Sequence, residues 1–155
     1  MNQIILTELD LKIFTEQDVL DYCSLNNINP ENITELHLTV NELRNISGIK
    51  IFKNLEILRL DDNNLNNISV LNNLKKLNIL GLNNNKLTDI SVLKYLKNIK
   101  SLYLDDNELL NDIESVKYLK NLKHLTLNFC KIKDISAVSN LINLEYLDIN
   151  QNMIK

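Results

Sequence analysis

The sequence is poor in the residues that usually interrupt or diversify a fold. Its 155 residues include 2 glycines, 1 proline, 2 cysteines and no tryptophan, and aromatic side chains make up only 5%. Cys23 and Cys130 are too few and too far apart for a disulfide framework, which favours a reducing compartment. No apolar run approaches the roughly 20 residues of a membrane span, and residues 1–10 lack the pattern of a signal peptide. We therefore expect a cytoplasmic protein.

Charge and motifs argue against several classes of function. A net charge of -3 disfavours a general binder of nucleic acids or membrane surfaces. The sequence has no glycine-rich phosphate loop and no G-x-S-x-G, H-E-x-x-H or C-x-x-C motif. His37 and His124 lie too many repeats apart to share a metal ion, and the Asp61-Asp62 and Asp105-Asp106 pairs are interpreted as a solvated acidic rim. We expect no enzyme activity, no cofactor and no metal site.

Leucine and asparagine are abundant instead, with 31 and 27 copies, and they repeat. Pairs of the form L-x-L begin at steps of 22, 22, 22, 23 and 22 residues. A period of this length indicates a stack of short structural units. The one extra residue falls in the fourth unit, and aligning the leucines places it between Leu109 and Ile113. The pairs are Leu36/Leu38, Leu58/Leu60, Leu80/Leu82, Leu102/Leu104, Leu125/Leu127 and Leu147/Ile149.

These units, L-x-x-L-x-L-x-x-N-x-L-x-x-I-x-x-L-x-x-L-x-x, resemble the leucine-rich repeats of the 22-residue class, which SDS22-type phosphatase regulators and bacterial internalins share. Period-2 leucines face inward from a short strand, and apolar residues at three-residue steps suit a 3₁₀ return. The resemblance implies an α/β solenoid, with a curved parallel β-sheet on the concave face and short 3₁₀ or helical returns on the convex face.

An asparagine follows nearly every predicted strand, where the chain turns and would leave buried backbone groups unpaired. Its amide offers two donors and an acceptor to those groups and can link one coil to the next. In the fifth unit a cysteine takes this place, and we interpret it as structural. The predicted ladder comprises Asn41, Asn63, Asn85, Asn107, Cys130 and Asn152.

The two ends of the chain depart from the repeat. Residues 1–32 are predicted to form an N-terminal cap: Leu6, Leu9 and Leu11 make a degenerate first coil, and a helix runs from about residue 16 to 25 until Asn29-Pro30 stops it. Residues 33–155 are six units, the last incomplete. The chain stops without a capping helix, so it is a fragment, is closed by its own polar tail, or has this edge covered by a partner. We expect a monomer with a possible contact through this edge.

The outward positions of the strands are the candidate binding surface, because the core does not constrain them. Gly81 lies at the centre of this face, and a glycine inside a strand often marks close approach by a ligand. Arg59 and Tyr103 would frame a notch suited to a peptide side chain with an apolar stem and a cationic end. The competing explanation is drift on an unused surface. The predicted protein-binding residues are Ile57, Arg59, Asp61, Ile79, Gly81, Tyr103, Asp105, His124, Phe129 and Tyr146.

These observations predict a non-catalytic protein–protein interaction module that binds a protein or peptide on its strand face. The alternatives are an SDS22-like regulatory subunit of a serine/threonine phosphatase, or the repeat segment of an internalin-like bacterial surface protein. Six lysines collect in the predicted returns, where they either orient a partner or keep the convex face soluble. They are Lys75, Lys76, Lys94, Lys97, Lys117 and Lys120.

Overall fold

The computed structural model describes residues 2–5 and 14–155. It contains one α-helix, α1 (Glu16–Leu25), and seven strands of three residues each. The strands are β1 (Gln3–Ile5), β2 (Glu35–His37), β3 (Ile57–Arg59), β4 (Ile79–Gly81), β5 (Ser101–Tyr103), β6 (His124–Thr126) and β7 (Tyr146–Asp148). Short 3₁₀ turns at Pro30–Asn32, Ser47–Ile51, Ser69–Asn73, Ser91–Tyr95, Glu114–Tyr118 and Ser136–Asn140 complete the coils.

The seven strands form a single parallel sheet in chain order, so every coil stacks on the one before it. The first leucine of each L-x-L pair is level with its counterpart in the next strand, as Leu58 is with Leu80. Leu102 is likewise level with Leu125 across the 23-residue step. The sheet is curved and unclosed, with the strands on the concave side and the 3₁₀ returns opposite, which confirms the predicted fold class.

The core is a column of aliphatic side chains between the sheet and the returns. Leu58, Leu80 and Leu102 have no solvent-exposed surface. In the return of the third unit, Leu93 N donates to Ile90 O at 3.0 Å and Leu96 N to Leu93 O at 2.9 Å. The three-residue spacing of apolar side chains thus coincides with i to i+3 hydrogen bonding, as a 3₁₀ turn requires.

The extra residue of the fourth unit lies earlier than predicted. Leu110 is fully buried and Leu109 is 52% exposed. Leu110 therefore occupies the core position that Leu87 fills one unit earlier, and the insertion lies between Asn107 and Leu110 rather than between Leu109 and Ile113. The surplus is accommodated by a tight turn in which Leu110 N donates to Asn107 O at 2.9 Å.

Helix α1 has the predicted bounds and a complete N-terminal cap. The Thr15 hydroxyl accepts from Asp18 N at 3.3 Å, and the Asp18 carboxylate accepts from Thr15 N at 2.7 Å. The helix packs on the turn Ser47–Ile51 through Val19 and Cys23. Asn29 does not end α1 but caps the separate turn Pro30–Asn32, its side chain accepting from Glu31 N.

Gly48 makes this docking possible. Gly48 N donates to Phe14 O at 2.8 Å, and a Cβ atom on Gly48 would lie 2.2 Å from Thr15 O. Since backbone atoms cannot yield as flexible side chains do, only glycine lets the segment before α1 approach so closely. The second of the two glycines in the sequence, Gly81, serves a different contact, described below.

The first coil differs from its predicted alignment. Ile4 of β1 is paired with Leu36, and Ile4 is buried. The predicted repeat residues Leu6, Leu9 and Leu11 lie outside the described residues. Strand β1 therefore lies before the leucines at positions 6, 9 and 11, which the predicted alignment of the first coil used.

Candidate interaction face and its asparagine ladders

Asn85 represents the side-chain ladder that links successive coils. Its Nδ2 donates to Leu60 O of the preceding coil at 2.9 Å, and to Leu82 O and Asn83 O of its own coil at 3.2 and 3.1 Å. Its Oδ1 accepts from Leu65 N at 3.0 Å. Every amide function is therefore used on backbone groups. The same pattern holds, with shifted numbers, for Asn63, Asn107 and Asn152.

The first and fifth positions of the ladder differ in detail. Asn41 is buried, and its Nδ2 donates to Thr39 O at 2.8 Å. At the fifth position the Cys130 thiol lies 3.5 Å from Leu104 O and 3.6 Å from Asn128 O. Burial raises the pKa of this thiol to about 11, so it stays protonated and inert at neutral pH.

Cys130 and the extra residue compensate for each other. A thiol accepts hydrogen bonds poorly, so it cannot replace the amide oxygen that receives a backbone N–H in the other coils. In this coil the N–H concerned belongs to Leu110, and the inserted residue turns it back onto Asn107 O. The two irregularities of the repeat therefore meet at one buried hydrogen bond, and no buried side-chain nitrogen or oxygen of the described residues lacks a partner.

A second ladder, which the sequence analysis missed, runs where the chain re-enters each strand. Asn98 Nδ2 donates to Lys75 O at 2.8 Å, Asn121 Nδ2 to Lys97 O at 2.9 Å and Asn143 Nδ2 to Lys120 O at 2.7 Å. The repeat spacing of these asparagines was the sequence signal that could have predicted this ladder.

A further Asp or Asn side chain in these units accepts a hydrogen bond from the backbone N–H of the first residue of the 3₁₀ turn. This bond explains the recurring N-I-S and D-I-S triplets. Those residues are Asn45, Asn67, Asp89, Asp112 and Asp134.

The acidic rim belongs to another ladder. Asp61 Oδ1 accepts from Asn83 N at 3.0 Å, and Asp105 Oδ1 accepts from Asn128 N at 2.7 Å. Asp105 also accepts from Thr126 Oγ1 at 2.8 Å. Burial raises the pKa of Asp61, although the bond from Asn83 and the charge of Arg59 oppose this shift. Asp61 and Asp105, which were predicted to accept hydrogen bonds from a ligand, already accept hydrogen bonds from neighbouring coils.

Gly81 and its neighbours do lie together, but the space above the glycine is filled. A Cβ atom on Gly81 would lie 2.4 Å from Asp61 Oδ2 and 2.9 Å from the Arg59 side chain. The Arg59 guanidinium carbon lies 4.9 Å from the centre of the Tyr103 ring, in cation–π contact. Gly81 therefore makes room for Arg59 to reach across a strand to Tyr103, and the predicted notch is not open in this structure.

The remaining predicted residues form an apolar part and an aromatic part of the same face. Ile57 and Ile79 are paired on β3 and β4 and are partly exposed. On β6 and β7 the His124 and Tyr146 ring centres are 6.3 Å apart, and Tyr146 is 50% exposed. Phe129 follows β6 at the rim.

Phe129 occupies a left-handed backbone position that recurs after each strand from β2 to β7. Three of these six coils carry Asp or Asn there, which tolerate this conformation. Phe129 has φ 54° and Val40 has φ 56°, and both side chains are more than half exposed. Bulky or β-branched residues are disfavoured at such angles, so the fold is strained at two exposed apolar residues. The other members are Asp62, Asn84, Asp106 and Gln151.

Within residues 2–5 and 14–155, no group of three or more His, Cys, Asp or Glu side chains is placed to hold a metal ion. In the same part of the chain no helix has the length and apolar character needed to cross a membrane.

Comparison with known proteins agrees with the architecture. The family described as Leucine Rich repeats (2 copies) matches residues 120–155. The chain has the leucine-rich repeat fold. No curated protein matches the sequence significantly. Leucine-rich repeat folds are in general non-catalytic modules that bind protein partners.

Solved leucine-rich repeat structures match over nearly the whole chain. An internalin (InlF) from Listeria monocytogenes is 28% identical with a TM-score of 0.88, and the match covers 100% of this chain and 43% of that one. A leucine-rich repeat protein from Leptospira interrogans is 28% identical, with a TM-score of 0.81 and coverage of 99% and 44%. Internalin C2 from Listeria monocytogenes is 26% identical, with a TM-score of 0.69 and coverage of 96% and 80%. The chain thus spans less than half of two of these proteins.

Proposed function

We propose that this leucine-rich repeat chain binds a protein or peptide on its concave strand face and performs no catalysis. The observation that carries the proposal is Phe129. An aromatic side chain that is 53% exposed at φ 54° stabilises neither its own backbone nor the core. Exposed aromatic residues are enriched among those that dominate binding energies, and backbone strain clusters at functional positions.

Neighbouring side chains extend the proposed surface. His124 and Tyr146 lie on the last two strands, in the same coil as Phe129 and in the next coil, and the Arg59–Tyr103 pair lies toward the centre of the sheet. Arginine and tyrosine are also typical of interface hot spots. In the proposed complex the Arg59–Tyr103 pair is a preformed planar surface rather than the wall of an open notch.

The test separates binding from folding by replacing Phe129 with the residue that suits its backbone. Once a partner has been captured from the source cell and purified, its affinity for the wild type, Phe129→Asn and Leu109→Asn is measured by calorimetry. Leu109 is the matched control because it is 52% exposed in the turn between Asn107 and Leu110, beyond the strand.

We expect Phe129→Asn to weaken binding at least tenfold, or about 1.4 kcal/mol, while its melting temperature rises because the strain is relieved. Leu109→Asn should leave the affinity unchanged. Unchanged affinity in Phe129→Asn would reject this face as the contact surface.

The repeat segment of an internalin-like surface protein is the second candidate, favoured by the TM-score of 0.88 to InlF over 100% of this chain. The two candidates differ in location, since the first is proposed to act in the cytoplasm, where its buried free thiols would stay reduced. Fractionation of the source cell with an antibody against residues 33–155 distinguishes them: signal in the cytosol supports the first candidate, and signal at the cell surface supports the second.

A further inference from the structure

A row of lysines lies where the returns end and the chain re-enters each strand. Four lysines occupy the same repeat position on four consecutive coils, and all four are exposed. Because coils stack at about 4.8 Å in the sheet, the row places one positive charge at each such step. Two tyrosines lie beside it, at matching positions of adjacent coils. We name this surface the lysine–tyrosine face: Lys53, Lys75, Lys97 and Lys120, with Tyr95 and Tyr118.

Three lysines of this row, Lys75, Lys97 and Lys120, form no ion pair with an acid of the described residues. Lys75 Nζ lies 3.4 Å from Tyr95 O, Lys97 Nζ 3.4 Å from Tyr118 O, and Lys120 Nζ 3.0 Å from Asn140 O. These are backbone carbonyls of the next coil, not carboxylates. Among the described residues, the lysines that form ion pairs with carboxylates lie outside the row: Lys50, Lys117 and Lys123.

The two tyrosines hold lysine ammonium groups over their rings and so offer little free ring surface. Ammonium groups of Lys75 and Lys94 lie 5.0 and 5.1 Å from the centre of the Tyr95 ring. Those of Lys97 and Lys117 lie 4.7 and 5.3 Å from the centre of the Tyr118 ring. Because two cations already contact each ring, the rings offer no open platform for stacking nucleobases.

An apolar cleft begins where the row ends, between α1 and the first returns. It has a volume of about 810 Å³, and Leu20, Pro30 and Ile51 provide its apolar wall. Lys53 belongs both to this cleft and to the lysine row, so the two are continuous. Two carboxylates, Glu16 and Glu31, line this cleft. Two lysines, Lys50 and Lys53, line it as well, so the charges in the cleft balance.

We propose that the lysine–tyrosine face and this cleft together bind an acidic protein segment that carries one apolar side chain as an anchor. The acidic residues lie along the unpaired lysines, and the apolar side chain enters the charge-balanced cleft. The lysine row precedes the strands, whereas Phe129 follows β6, so the two docking surfaces are separate.

Charge complementarity favours an acidic polypeptide over other polyanions. A nucleic acid has no apolar anchor for the cleft, and its bases find the tyrosine rings occupied. The net charge of -3 also opposes a long polyanion that would extend beyond the row. The same net charge opposes binding to an anionic membrane surface.

The first experiment uses synthetic probes and fluorescence anisotropy with the whole chain. The peptide probe is a fluorescein-labelled peptide of one leucine followed by eight glutamates, and its control carries serine in place of the leucine. We expect saturable binding of the leucine peptide, at least fivefold weaker binding of the serine peptide, and loss of affinity as salt increases. Tighter binding of a single-stranded oligonucleotide or of vesicles containing phosphatidylserine would overturn the proposal, as would no binding of the peptide.

The second experiment maps the site with variants of matched charge. Lys75→Ser/Lys97→Ser/Lys120→Ser removes three charges from the row, and the control removes three other exposed lysines: Lys86→Ser/Lys131→Ser/Lys133→Ser. We expect the row variant to lose at least tenfold in affinity for the leucine peptide and the control to lose less than threefold. Equal losses would mean that only net charge matters, which would refute the assigned site.

The third experiment tests the anchor. Leu20→Ser changes the cleft wall, whereas Leu25→Ser changes a leucine of the same helix that is 86% exposed and outside the cleft. Leu20→Ser should remove the advantage of the leucine peptide over the serine peptide, and Leu25→Ser should keep it. Circular dichroism of both variants verifies that α1 is folded, and a folded Leu20→Ser variant that still prefers the leucine peptide would contradict the cleft assignment.

Discussion

At the N-terminal end of the solenoid the inward side chains are covered, whereas at the C-terminal end they meet solvent. Ile4 of β1 is 4% exposed, and at this end of the stack α1 packs on the turn Ser47–Ile51. On β7 the equivalent residue, Leu147, is 38% exposed, and Leu144 and Ile149 are only partly buried. Residues at the same repeat position therefore contribute different amounts to the free energy of unfolding, because the stability of a linear stack is a sum over contacts between neighbouring coils.

The largest difference between the ends should appear when the leucine at the same repeat position is replaced by alanine near each end. Leu36→Ala opens a cavity at a site with no exposed surface and should cost about 3 kcal/mol in the free energy of unfolding. Leu147→Ala removes a side chain that lacks a neighbour on one side and should cost about 1 kcal/mol. Urea denaturation of both variants measures the contrast, and equal losses would mean that the two ends are equally well packed.

The cap itself is tested at Gly48. Gly48→Ala places a methyl group against the Thr15 backbone and should destabilise the chain by about 2–3 kcal/mol. The substitution should increase the rate of amide hydrogen exchange more in α1 than in β4. Gly81→Ala is the matched control, because the atoms its methyl group meets belong to the movable side chains of Asp61 and Arg59. We expect this control to cost about 1 kcal/mol. A larger loss at Gly81 than at Gly48 would reverse the importance assigned to the cap.

The ladder provides a third comparison between the middle of the stack and its open end. Asn85→Ala leaves buried backbone groups unpaired and should cost about 1–3 kcal/mol. Asn152→Ala removes similar bonds at a partly exposed site, where water replaces them, and should cost less than about 1 kcal/mol. The urea midpoints of the two variants give the comparison, and a greater loss at Asn152 would show that the open end is more rigid than its exposure indicates.

The smallest effect is expected at the irregular coil. Cys130→Asn should change stability by less than about 1 kcal/mol, because Leu110 N already has a partner in Asn107 O. Deleting Leu109 restores a 22-residue unit and removes that turn, so the deletion should be tolerated better in the Cys130→Asn variant than in the wild type. A double-mutant cycle by thermal unfolding measures this coupling, which we expect at about 1–2 kcal/mol. Independent effects would mean that insertion and cysteine do not compensate.

The sequence predicted what depends on period and local chemistry. Strand register, the 3₁₀ returns and the bounds of α1 follow from leucine spacing and from Thr15 as an N-cap. It misplaced the first strand because L-x-x-L-x-L at residues 6–11 imitates a repeat start, whereas pairing selects Ile4. In α1, Val19 and Cys23 are buried, whereas Leu20 and Leu25 are 45% and 86% exposed, because a short helix on a narrow edge buries only one stripe.

The candidate site was harder to predict because it depends on contacts between coils. Gly81 has the spacing of an outward position, but only the neighbouring strand shows that Arg59 and Asp61 lie over it. Similarly, Asp61 and Asp105 have the composition of a free acidic rim, and their use as acceptors becomes visible only in the stacked coils. Whether the predicted face binds a partner stays a prediction.

The asparagine ladder has a consequence for the evolution of the chain. Each ladder amide bonds only within its own coil and to the coil before it, as Asn85 does with Leu60 and Leu82. A gene duplication or deletion of one regular unit, away from Cys130 and the inserted residue, therefore leaves every remaining bond with a partner of the same kind. The number of coils, and with it the area of both surfaces, becomes a quantity that recombination can adjust in steps of 22 residues.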